Sequence, residues 1–133
     1  LVHELVVRKR EAFGKLAAER RLSPMAGMVD LLKRCKVLGK RCYIASGSGR
    51  KSVTYGIDSL GMGHFFEATY CIEDVVSGKP SPELFNLVLH DNQLFSEDCL
   101  VIEDSEVGFI AAERCGLAYV DVSDISFLVG DKN

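Results

Sequence analysis

Four polar side chains follow apolar runs of the sequence, each near the point where a run ends. Ser46 follows RCYIA, Lys79 lies in the loop after the run near Tyr70, and Glu103 and Asp104 end CLVIE. Adjacent carboxylates repel each other unless a positive group lies between them, and a hard cation such as Mg²⁺ prefers carboxylate oxygens. A hydroxyl and a lysine ammonium suit phosphate oxygens. Together these residue types indicate the metal and phosphate contacts of phosphoryl transfer.

The glycine-rich turn after Ser46 adds to this set. Its backbone amides, over residues 47–49 of SGSG, are of the kind that bind phosphate oxygens. Each side chain also has a structural interpretation: Ser46 could bond its own turn, Lys79 could be a solvated loop lysine, and Glu103 and Asp104 could cap the following helix. Their joint position favours a small polar pocket over these separate roles.

The elements that must position these residues alternate between helix and strand. Helical spacing is present over residues 1–21, 27–38, 52–60 and 107–115, and a further helix is predicted with Ser81 as N-cap and Pro82 as first residue. Short apolar runs predict strands over residues 41–45, 69–72, 99–103 and 117–122. This alternation, without hairpin signals, predicts an α/β fold with a Rossmann-like parallel sheet and flanking helices. Ligands of such sheets bind beyond the carboxyl ends of the strands, where all four polar residues fall.

The composition is typical of one globular domain in a reducing compartment. At 133 residues the chain is long enough to bury a core, and its net charge of −3 argues against a nucleic-acid partner. No apolar segment has the length of a membrane span. The five cysteines are odd in number and form no Cys-x-x-Cys pair, which predicts buried free thiols and a cytoplasmic location.

Three segments resemble motifs of a known family. IASGS at residues 44–48, GKPSPELF at 78–85 and VIEDSEVG at 101–108 are similar to the second, third and fourth motifs of the haloacid dehalogenase-like hydrolases. The most similar subgroup contains β-phosphoglucomutase and sugar-phosphate phosphatases, and the resemblance covers about residues 20–122. It implies a magnesium-dependent phosphohydrolase with a small phosphorylated metabolite, such as a sugar phosphate, as its substrate.

The resemblance also implies roles for individual residues. Ser46 would bind the transferring phosphoryl group, and Lys79 would neutralise its charge. Glu103 and Asp104 would bind Mg²⁺ directly or through its waters. Gly47 and Ser48 would add phosphate contacts.

The nucleophile of the family has no counterpart in this sequence. The family carries it as the first aspartate of an Asp-x-Asp motif on the first, central strand, and no Asp-x-Asp occurs here. Asp121, in YVDVSD, is interpreted as a loop acid. We therefore expect the chain, which starts at Leu1, to be a fragment that is inactive alone. Residues 1–22 would be the remnant last helix of a cap domain, and residues 23–133 an incomplete core.

The missing first strand would leave a gap in the sheet between the strands at residues 41–45 and 99–103. Unpaired backbone groups at that gap would favour self-association. Two other functions remain open at this stage: a phosphosugar mutase of the same family, and a non-catalytic module with a remnant phosphate pocket.

Overall fold

The computed structural model of the chain describes residues 4–7 and 27–125. The elements of this part are, in chain order, β1 Glu4–Val7, α1 Met28–Val37, β2 Arg41–Ala45, α2 Arg50–Ser59, β3 Ala68–Tyr70, α3 Glu83–Asp91, β4 Cys99–Glu103, α4 Glu106–Arg114 and β5 Ala118–Asp121. The strands form one parallel sheet in the order β3-β2-β1-β4-β5. The predicted α/β fold with a parallel sheet is confirmed.

The sheet is covered by helices on both faces because its central strands are apolar on both faces. On β2, Cys42 and Ile44 pack with α1 and α2 in one buried cluster. Tyr43 and Ala45, which alternate with them, pack with α3 and α4 in a second cluster. Such continuous apolar runs are typical of parallel strands between two helical layers. The layers leave the carboxyl ends of the strands as the edge where loops and polar side chains meet.

The strand β1 shows that two predictions were wrong. Glu4–Val7 is a strand and not part of a helix, and it fills the predicted gap by pairing with both β2 and β4. Val7 is in register with Ile44 and Ile102. Three of the four residues are apolar and two of those are β-branched, which suits a central strand, and pairing satisfies backbone groups that a gap would leave open. The strand edges that motivated the expected self-association are therefore paired.

Other element boundaries lie within one or two residues of the prediction. Gly39 and Gly116, which follow the ends of α1 and α4, have φ angles of +72° and +71°, a conformation that glycine adopts without strain. At α3, Pro82 and not Ser81 is the N-cap residue, although the Ser81 hydroxyl accepts a hydrogen bond from Glu83 N at 3.2 Å. The predicted helix at residues 8–21 lies outside the described residues, and so does the chain after residue 125.

The cysteines are free thiols, as predicted, and four of the five are buried. They pack among the apolar side chains of the two clusters, which is the usual environment of a structural thiol. None of the helices in the described part of the chain combines the length and apolar character that crossing a bilayer requires.

Candidate phosphate-binding site

Ser46 directly follows the last residue of β2 and therefore lies at the carboxyl edge of the sheet. Ser46 N donates to Tyr70 O at 2.8 Å, which continues the pairing of β2 with β3 by one residue. The Ser46 side chain is fully buried, and its Oγ accepts a hydrogen bond from Ser48 N at 3.0 Å. The turn interpretation of Ser46 is therefore confirmed. It does not exclude a ligand contact, because a hydroxyl that accepts from an amide still has its own hydrogen to donate.

Lys79 is a buried lysine and not a solvated one. Its side chain is 3% exposed, and its Nζ lies 3.4 Å from both Ala45 O and Glu103 Oε2. The aliphatic stem and ammonium pack over Phe85, with Nζ 4.8 Å from the ring centre. Ala45 ends β2 and Glu103 ends β4, and β1 lies between these two strands. The ammonium therefore contacts the ends of both neighbours of the central strand.

Glu103 binds the Lys79 ammonium, and both of its carboxylate oxygens accept hydrogen bonds from other residues of the chain. Oε2 accepts from Lys79, while Oε1 accepts from Asp104 N at 2.9 Å and from the amide and hydroxyl of Ser105, each at 3.3 Å. The carboxylate is 0% exposed, so this ion pair is shielded from water. Burial of a charge requires such compensation. Glu103 therefore holds Lys79 in place, and the positive group beside the Glu103 carboxylate is this ammonium.

The cap of α4 is Ser105, so the capping interpretation of Glu103 and Asp104 is wrong. Ser105 Oγ accepts from Gly108 N at 3.2 Å. Asp104 is half-buried, and its Oδ1 oxygen is buried. Among the described residues, no group of three His, Cys, Asp or Glu side chains is close enough to share a metal ion.

Sequence reasoning assigned no role to Gly108, although it quoted the motif that contains it. A Cβ on Gly108 would lie 2.0 Å from both Cδ and Oε2 of Glu103, far inside any real contact. The first turn of α4 can therefore approach the buried carboxylate only because residue 108 is glycine. A signal was present, since glycine is a poor residue for the first turn of a predicted helix.

Sequence reasoning also missed the contacts at the start of α2. Arg50 N donates to both carboxylate oxygens of Glu73, at 3.0 and 3.1 Å. The Arg50 guanidinium bonds the Asp74 carboxylate and donates to Thr69 O. An internal carboxylate thus occupies the first amide of α2.

The six predicted site residues all lie where β2, β4 and the loop after β3 reach the carboxyl edge of the sheet. Those residues are Ser46, Gly47, Ser48, Lys79, Glu103 and Asp104. Direct contact is found between Lys79 and Glu103. Asp121 is in register with Glu103 where β5 pairs with β4, and it is the N-cap of the short helix at Val122–Asp124, where its carboxylate accepts from Ser123 N at 3.0 Å.

The parallel sheet, with a buried lysine–glutamate pair and a serine turn at its carboxyl edge, agrees with the resemblance to the haloacid dehalogenase-like hydrolases. The sequence model of the haloacid dehalogenase-like hydrolase family matches residues 2–122. The chain belongs to this family.

Two relatives and one solved structure illustrate the match. YhcW of Bacillus subtilis (strain 168) is 34% identical over 119 residues, which are 90% of this chain and 53% of YhcW. Fructose-1-phosphate phosphatase YqaB of Escherichia coli (strain K12) is 30% identical over 122 residues, which are 90% of this chain and 62% of YqaB. CbbY from Rhodobacter sphaeroides in complex with phosphate has a TM-score of 0.71 at 23% identity, covering 81% of this chain and 53% of that one. The chain spans little more than half the length of these proteins.

Proposed function

We propose that this chain supplies the phosphate-binding part of a phosphohydrolase that acts on a small phosphorylated metabolite, such as a sugar phosphate. One observation carries the proposal: the Lys79 ammonium is held at the carboxyl edge of the sheet by the carbonyl of Ala45, and the residue that follows Ala45 is the buried Ser46. A fixed cation beside a fixed hydroxyl donor is suited to a phosphate group. The names of two relatives support it, since one is a fructose-1-phosphate phosphatase and another a phosphorylated carbohydrates phosphatase.

The proposed roles follow from the contacts that each residue already makes. Ser46 Oγ accepts from Ser48 N, so its hydrogen is the group left to donate to a phosphoryl oxygen. Lys79 has three N–H donors, of which Glu103 and Ala45 orient two, and its charge would offset that of the phosphate. The amide of Gly47 and the side chain of Ser48 lie in the same turn and are proposed to contact the phosphate on that side, while the Ser48 amide orients the Ser46 hydroxyl.

The nucleophile is proposed to come from a segment outside this chain, because β1 fills the central strand position but has no aspartate at its end. The 133 residues contain no Asp-x-Asp, and the residue that follows β1 is Arg8. An aspartate from that segment would attack phosphorus and expel the metabolite's oxygen, and water would then release the phosphate from the aspartyl-phosphate. We propose Mg²⁺ as the cofactor of the complete enzyme, with Asp104 among its ligands, where the ion would offset phosphate charge. A cytoplasmic location is part of the same proposal.

Calorimetric titration with inorganic phosphate tests the binding part of this proposal. The chain should bind phosphate, and the double variant Lys79→Met/Glu103→Gln should weaken binding by about 10- to 100-fold, which is the loss of one charged contact. The double change avoids a buried, unpaired carboxylate. Lys33→Met, at an exposed lysine of α1, is the matched control and should bind as the unaltered chain does. Absence of phosphate binding by the unaltered chain would favour a non-catalytic module instead.

Turnover of p-nitrophenyl phosphate with Mg²⁺ tests the chemical part. The chain alone should show only background hydrolysis, because it lacks the aspartate nucleophile. Robust turnover by the chain alone would show that the absent aspartate is not required.

A further inference from the structure

The loop that delivers Lys79 to the site has little packing of its own. It connects β3 with α3, and within it Val76 is 96% exposed and Ser77 is exposed as well. Lys79, two residues later, nonetheless has a buried side chain with a defined position between Ala45 and Glu103. Val75 packs against the second buried cluster, but apolar burial does not hold residues 76 and 77, so specific hydrogen bonds must do so.

Glu83, in the first turn of α3, makes those bonds. Its Oε2 accepts from Val76 N at 3.0 Å and its Oε1 from Ser77 N at 2.9 Å, so one carboxylate holds two consecutive amides. The same bonds lower the pKa of the Glu83 carboxyl, because they favour its charged form. On the other side of Lys79, Arg114 donates to Pro80 O at 3.1 Å, and Ser81 N donates to Gly78 O at 3.0 Å.

We propose that Glu83 is the positioning residue of Lys79. By accepting hydrogen bonds from the amides of Val76 and Ser77, its carboxylate fixes the loop backbone in the position that places the Lys79 ammonium at the phosphate site. This proposal rests on the proposed function for its consequence, phosphate binding, but not for its structural content. Glu83 itself is not a ligand of substrate, since both of its oxygens are used by the loop. Its effect on a phosphate is exerted through the ammonium.

Site-resolved acetylation of lysines, read by mass spectrometry, tests the positioning directly. The variant Glu83→Gln keeps one acceptor oxygen but faces the second amide with an NH₂ group, so the loop should loosen. We expect Lys79 acetylation to rise about three- to tenfold, as for the loss of one ordinary hydrogen bond, while the rate at Lys33 stays unchanged. Glu83→Asp keeps the charge on a shorter side chain, so its Lys79 acetylation rate should lie between those of the unaltered chain and Glu83→Gln. Glu97→Gln, an exposed glutamate before β4 at the opposite edge, is the matched control and should change neither rate.

The outcomes separate this proposal from the proposed function. Faster acetylation of Lys79 in Glu83→Gln, with phosphate affinity reduced by a similar factor, supports both. Faster acetylation in a chain whose unaltered form binds no phosphate supports the positioning role and overturns the proposed function. Unchanged acetylation of Lys79 overturns the positioning role, whatever phosphate does. Loss of the folded state in both Glu83→Gln and Glu83→Asp would assign Glu83 a role in the whole fold and also overturn it.

Discussion

Substituting Gly108 by alanine should destabilise the protein through Glu103. The added Cβ would lie 2.0 Å from Glu103 Cδ and 2.4 Å from its Cγ, whereas ordinary contacts begin at 3.4 Å. Relief requires the carboxylate to move by roughly 1.4 Å, which follows from that difference and is the kind of shift that overpacking forces. Such a shift stretches the 3.4 Å contact with Lys79 and the 2.9 Å bond from Asp104 N.

The expected cost is about 2–4 kcal/mol in the free energy of unfolding. Overpacking accounts for about 1–3 kcal/mol and weakened buried hydrogen bonds for about 1–3 kcal/mol, while alanine returns up to about 1 kcal/mol through its better helix propensity. Urea unfolding followed by far-ultraviolet circular dichroism measures it, since the chain has no tryptophan. Gly63→Ala is the matched control: its Cβ would lie 3.7 Å from Ile57 Cγ2, an ordinary contact, so its cost should stay below about 1 kcal/mol.

A double-mutant cycle decides whether the cost arises at Glu103. In a Glu103→Ala background the new Cβ meets no carboxylate, so Gly108→Ala should then cost less than about 1 kcal/mol. Equal costs of Gly108→Ala in both backgrounds, or a cost near zero in the unaltered chain, would refute the steric reasoning.

Three further predictions use the same unfolding assay or thiol labelling. Lys79→Met should destabilise by about 3–5 kcal/mol because it leaves the buried Glu103 carboxylate unpaired, and Lys79→Met/Glu103→Gln should recover most of that loss; a double variant no more stable than the single one would contradict the pairing. Arg50→Ala should cost no more than about 1 kcal/mol, and less in 1 M salt, since its ion pair with Asp74 is largely exposed; a salt-independent cost would contradict this. Burial raises the pKa of Cys115 to about 11, so alkylation of this thiol at pH 8 should be roughly 100-fold slower than that of an ordinary thiol. The stability due to this shift is full below about pH 9 and should be lost as the pH rises through about 11. Labelling of Cys115 at the rate of the unfolded chain would contradict this prediction.

The contacts that sequence reasoning could not reach are those between side chains far apart along the chain. The sequence predicted that Glu103 and Lys79 lie at the same edge of the sheet. It did not predict their ion pair, because the two residues are 24 positions apart in the chain. The carboxylate of Glu83 lies in the first turn of α3, and only the path of the loop brings the amides of Val76 and Ser77 to it. Each such contact depends on loop geometry, which local patterns do not specify.

The sequence by itself determined the order of helices and strands and the polar residues that end them. Apolar periodicity and helix-ending glycines are local, so β2 and β4 were predicted residue for residue as Arg41–Ala45 and Cys99–Glu103. The tertiary structure alone decided the role of Glu4–Val7. The strand preference of four residues does not by itself outweigh the helical spacing of the sequence over residues 1–21. Glu4–Val7 become the central strand because β2 and β4 supply backbone hydrogen-bond partners on both sides.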